Sequence, residues 1–399
     1  MRSTCLCLLG VLLFANGACG DWRQFRGDAT SAVAPDTGLA GDLTQPSIQW
    51  SQELPGRGLS SPIVVGDQVI VTASSGYGQK RLHVLSFDAG DGTLQWDRQY
   101  WATGRTVCHP KSSVAAPTPA SDGQRIFAFY SSNDLACLDL DGNLLWYRGL
   151  TYDYPNASNS LGMSSSLVTA DGVVVAMVEN DSDSFTIGLD VATGEDRWRI
   201  ERPRAANWTS PALWSNGERT LVLLQSSKGV SAIDPQTGST VWQYADGAST
   251  IPSLVAVEGL AFVPSHGLTA IRPGTTTPDV AEIVWQEGSL NPGTASPLVF
   301  DGSVFVLSNP NVLTRASAAD GKTEWKQRLT GNFSGSPVIA GGVLYAFSED
   351  GTGHVVDLAK EGEILGTIEL GETVLSTPAV ANGGLYIRSD GHLWKIAGK

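Results

Sequence analysis

From residue 48 to the C-terminus, apolar runs of four to seven residues, rich in β-branched side chains, alternate with turns built on Gly and Asp. Short apolar runs bounded by such turns predict β-strands, and no helical period persists over ten residues in this stretch. The runs also repeat. Each unit opens on Ser/Thr-Pro and an apolar triplet, turns at Gly/Asp and adds two more apolar runs, then closes with a Gly turn and a Trp. Copies open at Ser61-Pro62, Thr118-Pro119, Ser165-Ser166, Ser210-Pro211, Ile251-Pro252, Ser296-Pro297, Ser336-Pro337 and Thr377-Pro378. Six of them end at Trp96, Trp146, Trp198, Trp242, Trp285 and Trp325; the seventh has Gly366 instead, and the eighth stops at Lys399, one strand short. The missing strand is expected at the other end of the chain, where Ile48-Gln49-Trp50 stands before the first copy. Residues 48–399 divide into eight units of 44, the length of one four-stranded propeller blade. The pattern therefore predicts an all-β fold, a monomeric eight-bladed β-propeller whose ring is closed by the N-terminal strand. Closure removes two open sheet edges and an unburied blade face. The seven repeat-end Trp, Trp50 included, are expected to pack between neighbouring blades.

The first twenty residues differ in kind. Arg2, the apolar run Leu6 to Phe14 and the small residues Ala15 to Gly20 fit a secretory signal peptide. The run is too short to span a bilayer of about 30 Å as a helix. The organisation expected is a signal peptide over 1–20, an N-terminal segment over 21–47 and the propeller over 48–399, in a periplasmic or secreted protein. Cys19 is an alternative acylation point for a lipid anchor, although Asn16-Gly17-Ala18 before it lacks the usual Leu three positions upstream. Of the five Cys, Cys108 and Cys137 fall within the propeller. In an oxidising compartment they could pair; two separate buried thiols is the other reading.

Composition narrows the function. Hydrophobic content of 42% supports a large core. Asp and Glu number 40 against 26 Lys and Arg, a net charge of −14, and no basic run appears, which argues against nucleic acid as partner. The five His stand isolated, without zinc spacing. Glu179-Asn180-Asp181-Ser182-Asp183 alternates oxygen donors but lacks the Gly and closing Glu of a calcium loop, so no metal site is assigned. Neither Gly-x-Ser-x-Gly nor Gly-x-x-x-x-Gly-Lys occurs, and no catalytic residue is assigned.

The unit also assigns faces. The first strand of each blade lines a central channel, and the tight turns such as Gly66-Asp67, Asp122-Gly123, Gly142-Asn143 and Gly238-Ser239 share one face. The longer loops, 97–117, 147–163 and 199–209 among them, share the other, where function is expected. Residues just before each first strand converge on the channel mouth there: Arg57, His109, Lys111, Asn159, Trp208, Asn291, Asn332 and Phe333, with His266 in a neighbouring loop. Such a ring suits an anionic, planar or peptide ligand. The plainer reading is that the Asn side chains satisfy loop backbone while Trp208 fills a gap.

The repeat resembles the quinoprotein-like, or PQQ-like, repeat, whose signature is Ala-x-Asp-x-x-Thr-Gly-x-x-x-Trp. Residues 189–198 and 233–242, with Asp190, Thr193-Gly194 and Trp198, then Asp234, Thr237-Gly238 and Trp242, match it best. Asp21-Trp22-Arg23-Gln24-Phe25-Arg26-Gly27 resembles the opening of exported bacterial proteins with this repeat, many from planctomycetes and often named after the BamB family. The resemblance implies a non-catalytic binding scaffold with a protein partner at the cell envelope. Quinoprotein dehydrogenases share the repeat, which makes a PQQ- and Ca²⁺-dependent oxidoreductase, or a small-ligand binder at the channel mouth, the alternative. Those enzymes carry an adjacent Cys-Cys pair against the quinone, and this chain has none. No cofactor is therefore expected.

Overall fold

A computed structural model describes residues 20–34, 46–157 and 161–398. Its strands form eight separate four-stranded antiparallel sheets. Seven are contiguous in sequence, beginning with blade 1 at Ile63–Val65, Gln68–Ser75, Arg81–Asp88 and Leu94–Trp101. The eighth draws its inner three strands, Ala379–Ala381, Gly384–Arg388 and His392–Gly398, from the C-terminus and its outer strand, Pro46–Glu53, from the N-terminus. The ring closes as the repeat arithmetic predicts.

Two devices join the blades, and each explains a piece of the repeat. The first is a belt of hydroxyls around the channel. The backbone N–H of each opening Ser or Thr donates to the hydroxyl oxygen of its counterpart in the next blade. The belt runs Ser61, Thr118, Ser166, Ser210, Ser253, Ser296, Ser336, Thr377 and back to Ser61, with distances of 2.9 to 3.1 Å. A buried N–H without an acceptor costs about 1–3 kcal/mol, so a hydroxyl is needed at every step. Blades 3 and 5 meet the need with Ser166 and Ser253, which corrects the openings of those copies by one residue from Ser165 and by two from Ile251.

The second device is the Trp. In every blade the pairing of the third and outer strands slips by one residue next to the repeat-end position. Such a bulge re-aims a side chain. Trp50, Trp96, Trp146, Trp198, Trp285 and Trp325 lie against Gly92, Gly142, Gly194, Gly238, Gly321 and Gly362 of the following blade, so close that a Cβ there would sit 2.6 to 2.8 Å from an indole atom. Those glycines also hold φ between 70° and 81°, a second reason for Gly in the turn. Trp96, Trp146, Trp198 and Trp285 further donate their indole N–H to a carbonyl of that blade. Gly366 in blade 7 now has a cause. Blade 8 takes its outer strand from the other end of the chain, so it has no hairpin turn on which a Trp from blade 7 could rest. At Trp242 the following blade has the longer connection 274–280, and the indole packs edge-on against Trp214 instead.

The N-terminal segment closes one end of the channel. Trp22 exchanges two backbone hydrogen bonds with Val64 of blade 1, and Arg23 O accepts from Ser121 N of blade 2. Gln24 accepts from Thr169 N of blade 3, and Thr30 from Leu213 N of blade 4. The Arg26 guanidinium donates to Leu254 O and Pro297 O at blades 5 and 6, and Ala32 and Ala34 pair with Ile339 of blade 7. The segment 21–34 thus ties seven inner strands together across the tight-turn face.

Candidate functional site at the channel mouth

Because the tight-turn end is closed, the channel is a cup of about 550 Å³ opening on the loop-rich face. Phe25, carried up the axis by the plug, forms its floor. The eight belt hydroxyls encircle the throat, and above them stand Leu59, Leu161, Ile251 and Leu375 together with His109, Lys111, Trp208 and Glu349.

The loop 102–113 bends over this mouth and is pinned from three sides. His109 N donates to Leu161 O, Arg57 Nη1 donates to Pro110 O, and Lys111 Nζ lies 2.9 Å from Glu349 of blade 7. Burial alone would raise the Glu349 carboxyl, but hydrogen bonds from Ser334 and Lys111 outweigh it and hold it below the usual range. Beneath the cup, Arg26 is 2% exposed and donates to two carbonyls, with no carboxylate bonded to it among the described residues. That desolvation pushes its guanidinium down to about 9, still protonated at neutral pH.

Of the residues expected at the mouth, the structure brings His109, Lys111 and Trp208 into the cup. Arg57 stands beside it, bracing the loop and lying 3.6 Å from Asp390. Asn291 and Asn332 are exposed away from the lining, and His266 lies in an outer loop 3.3 Å from Asp246. Phe333 is a core residue, packed on the His354 ring. Asn159 lies outside the described residues, as does Cys19. Cys137 is a free thiol buried in the core, pushed up to about 12, and Cys108 is a free thiol on the mouth loop, likewise raised by burial. In the segment 179–183, Glu179 is buried against Arg202 at 2.5 Å and Asn207, and Asn180 accepts from Ser182 N, so these groups are engaged with the protein. Phe25 and Glu349 escaped sequence reasoning because one lies before the repeat and the other between second and third strands. Only the unusual density of aromatic and charged residues at 21–27 signalled the first.

Residues 25–163, 156–272 and 276–365 match the family of the outer membrane protein assembly factor BamB. The chain belongs to that family. Among curated relatives, the polyvinylalcohol dehydrogenase of Sphingopyxis sp. (strain 113P3) is 24% identical over 247 residues, 50% of this chain and 35% of that one. The BamB of Legionella pneumophila (strain Paris) is 24% identical over 180 residues, 42% of this chain and 45% of that one. These matches span less than half of each relative's length. Among solved structures, the quinohemoprotein alcohol dehydrogenase of Comamonas testosteroni superposes with a TM-score of 0.73 at 15% identity, covering 96% of this chain and 82% of that one, which is a likeness of fold. In this BamB-family chain no helix among the described residues is long and apolar enough to cross a membrane.

Proposed function

We propose that the protein is an exported scaffold of the cell envelope that binds a protein partner through its loop-rich face. One observation carries this reading. The chain plugs its own channel from the tight-turn side, which leaves the cup lined by Leu59, Leu161, Trp208, Ile251 and Leu375 open at the other end. Around it Tyr77, Trp101, Val107, Tyr152, Leu161 and Ile251 are between 43% and 94% exposed, on loops or strand ends of that face; other exposed large apolar side chains, such as Leu94, Leu144 and Ile283, lie along outer strands. Exposed apolar groups on a polar, acidic surface mark interaction sites. BamB-family membership supports an envelope assembly as the setting.

The dehydrogenase relative favours a second reading, a calcium–quinone pair in the cup. The donor set speaks against it. Glu349 is the one carboxylate among the described lining residues and is spent on Lys111 and Ser334. The residues present do not fit that pair, and no step is derived through it.

The test uses photo-cross-linking side chains placed at Tyr77, Tyr152 and Trp208, and at Asp122 and Glu218 on the tight-turn face, in envelopes. One adduct of constant mass is expected from the first three positions and none from the last two. Replacing Lys111 and Trp208 together by Ala should weaken it at least tenfold without altering the fold. Equal adducts from both faces would overturn the reading, as would saturable calorimetric binding of PQQ with Ca²⁺.

A further inference from the structure

Away from the cup, blade 1 holds a constellation that sequence spacing does not reveal. Ser75 ends the second strand, His83 lies on the third and Asp97 on the outer strand. His83 is opposite Ala73 and Gln99, which places Ser75 and Asp97 one diagonal step away on the same face of the sheet. Ser75 Oγ is 2.7 Å from His83 Nε2, and His83 Nδ1 is 3.1 and 3.2 Å from the two oxygens of Asp97. These contacts fix the tautomer. An ionised carboxylate only accepts, so Nδ1 carries the hydrogen; in the neutral ring Nε2 is then the acceptor, and the Ser75 hydroxyl must donate to it. Burial by itself would raise the Asp97 carboxyl, yet hydrogen bonds from His83 and Gln99 hold it below its ordinary value. The His83 side chain is 3% exposed, so packing fixes its orientation.

The turn that follows supplies a second, independent feature. Gly76, Gly78 and Gln79 take φ of 72°, 63° and 57°, a tight left-handed course directly after Ser75. Gly76, Tyr77 and Gly78 are exposed to solvent along it. A backbone N–H of an exposed turn next to an attacked carbonyl can stabilise the oxyanion that forms.

We propose that Ser75, His83 and Asp97 act as nucleophile, general base and positioning residue of an acyl-transfer site on the rim of the loop-rich face. This goes beyond the scaffold reading and does not rest on it. The Ser75 Oγ attacks the carbonyl carbon of a carboxylic ester, and its proton passes to His83 Nε2. The carbonyl π electrons move to oxygen. As they return, the ester C–O bond breaks and the alcohol leaves with the proton from His83. Water then attacks the acyl-serine, giving its proton to His83, which restores the Ser75 hydroxyl as the acid departs. Asp97 keeps the imidazole in the tautomer that accepts and balances the imidazolium that forms. Ser75 stands on an open surface, with Tyr77 94% exposed beside it, so the substrate class is an ester displayed on an extended chain rather than a small enclosed molecule.

The experiment treats the purified mature protein with a fluorophosphonate, locates the modified serine by mass spectrometry, and follows p-nitrophenyl acetate in parallel. Ser75 should be phosphonylated at least 100-fold faster than Ser215, an exposed serine of blade 4. The ester should give a p-nitrophenol burst that Ser75→Ala abolishes with unchanged melting. Asp97→Asn preserves shape but turns the wrong hydrogen-bonding group toward Nδ1, and should slow both reactions by about 10²–10⁴-fold. Labelling at Ser75 no faster than at Ser215, or unaffected by Asp97→Asn, overturns the proposal and leaves a buried histidine satisfied by two neighbours.

Discussion

The two ends of the channel are built on opposite rules. At the tight-turn end fourteen residues outside the repeat, 21–34, replace solvent against seven inner strands, with Trp22 and Arg26 each 2% exposed or less. At the loop-rich end the chain spends length instead: the mouth loop is held by a few polar contacts, and its Lys111 is 66% exposed. The difference teaches where each end's energy comes from. Buried area and satisfied backbone groups stabilise one end, whereas exposed ion pairs, worth about 0–1 kcal/mol each, hold the other in place.

The largest effect should come from breaking the sealed end. Trp22→Ala removes a fully buried indole and should lower unfolding free energy by about 3–5 kcal/mol. Lys111→Ala at the open end should change it by less than about 1 kcal/mol. Guanidinium unfolding of the two variants, run side by side, checks the contrast. Comparable losses would mean that the plug is an ornament on a ring that holds itself closed.

A smaller effect separates the two reasons for glycine in the hairpin turns. Gly238 and Gly217 both have positive φ, 70° and 88°, but an added Cβ meets the Trp198 indole at 2.7 Å in the first case and open space in the second. Gly217→Ala should cost about 1 kcal/mol in backbone strain alone. Gly238→Ala should cost about 1–3 kcal/mol more, because the indole has to move. Combining Gly238→Ala with Trp198→Ala should return part of that increment, which thermal unfolding of the four proteins would show as non-additivity.

What the sequence disclosed follows the same division. Blade number, strand count and ring closure were legible because each is written eight times, and because Trp, Gly and Ser/Thr recur for contacts that every blade must make. The exceptions were legible only as exceptions. Gly366 marks the blade that faces a sheet without a hairpin turn, and Ser253 keeps the hydroxyl belt closed where Ser-Pro is missing. The site was less legible, since it lies where the repeat stops. Lys111 and His109 were placed at the mouth by pseudo-symmetry, but the same argument put Phe333 there, and it is core. Phe25 and the Ser75–His83–Asp97 cluster depend on how a unique segment threads and how three strands stack in register, which no local spacing encodes.

The smallest expected effect concerns the repeat Asp of the sealed end. The Asp190 carboxylate accepts from Arg197 and from the N–H groups of Ala192 and Thr193, and these bonds pull it down to about 2. Its value in the unfolded chain is about 3.9. A carboxylate whose pKa is depressed by folding adds stability above the unfolded value and loses it as pH falls through the folded one. The contribution is therefore complete above about pH 4 and fades towards pH 2. Asp190 lies in an exposed turn, so solvent screening keeps it to about 0.5 kcal/mol or less. Asp190→Asn should flatten the acid limb of a stability-against-pH curve by that amount and leave the curve's slope above pH 5 unchanged. Curves for the two proteins that coincide at every pH would instead assign the residue's role to turn geometry, shared by Asp and Asn alike.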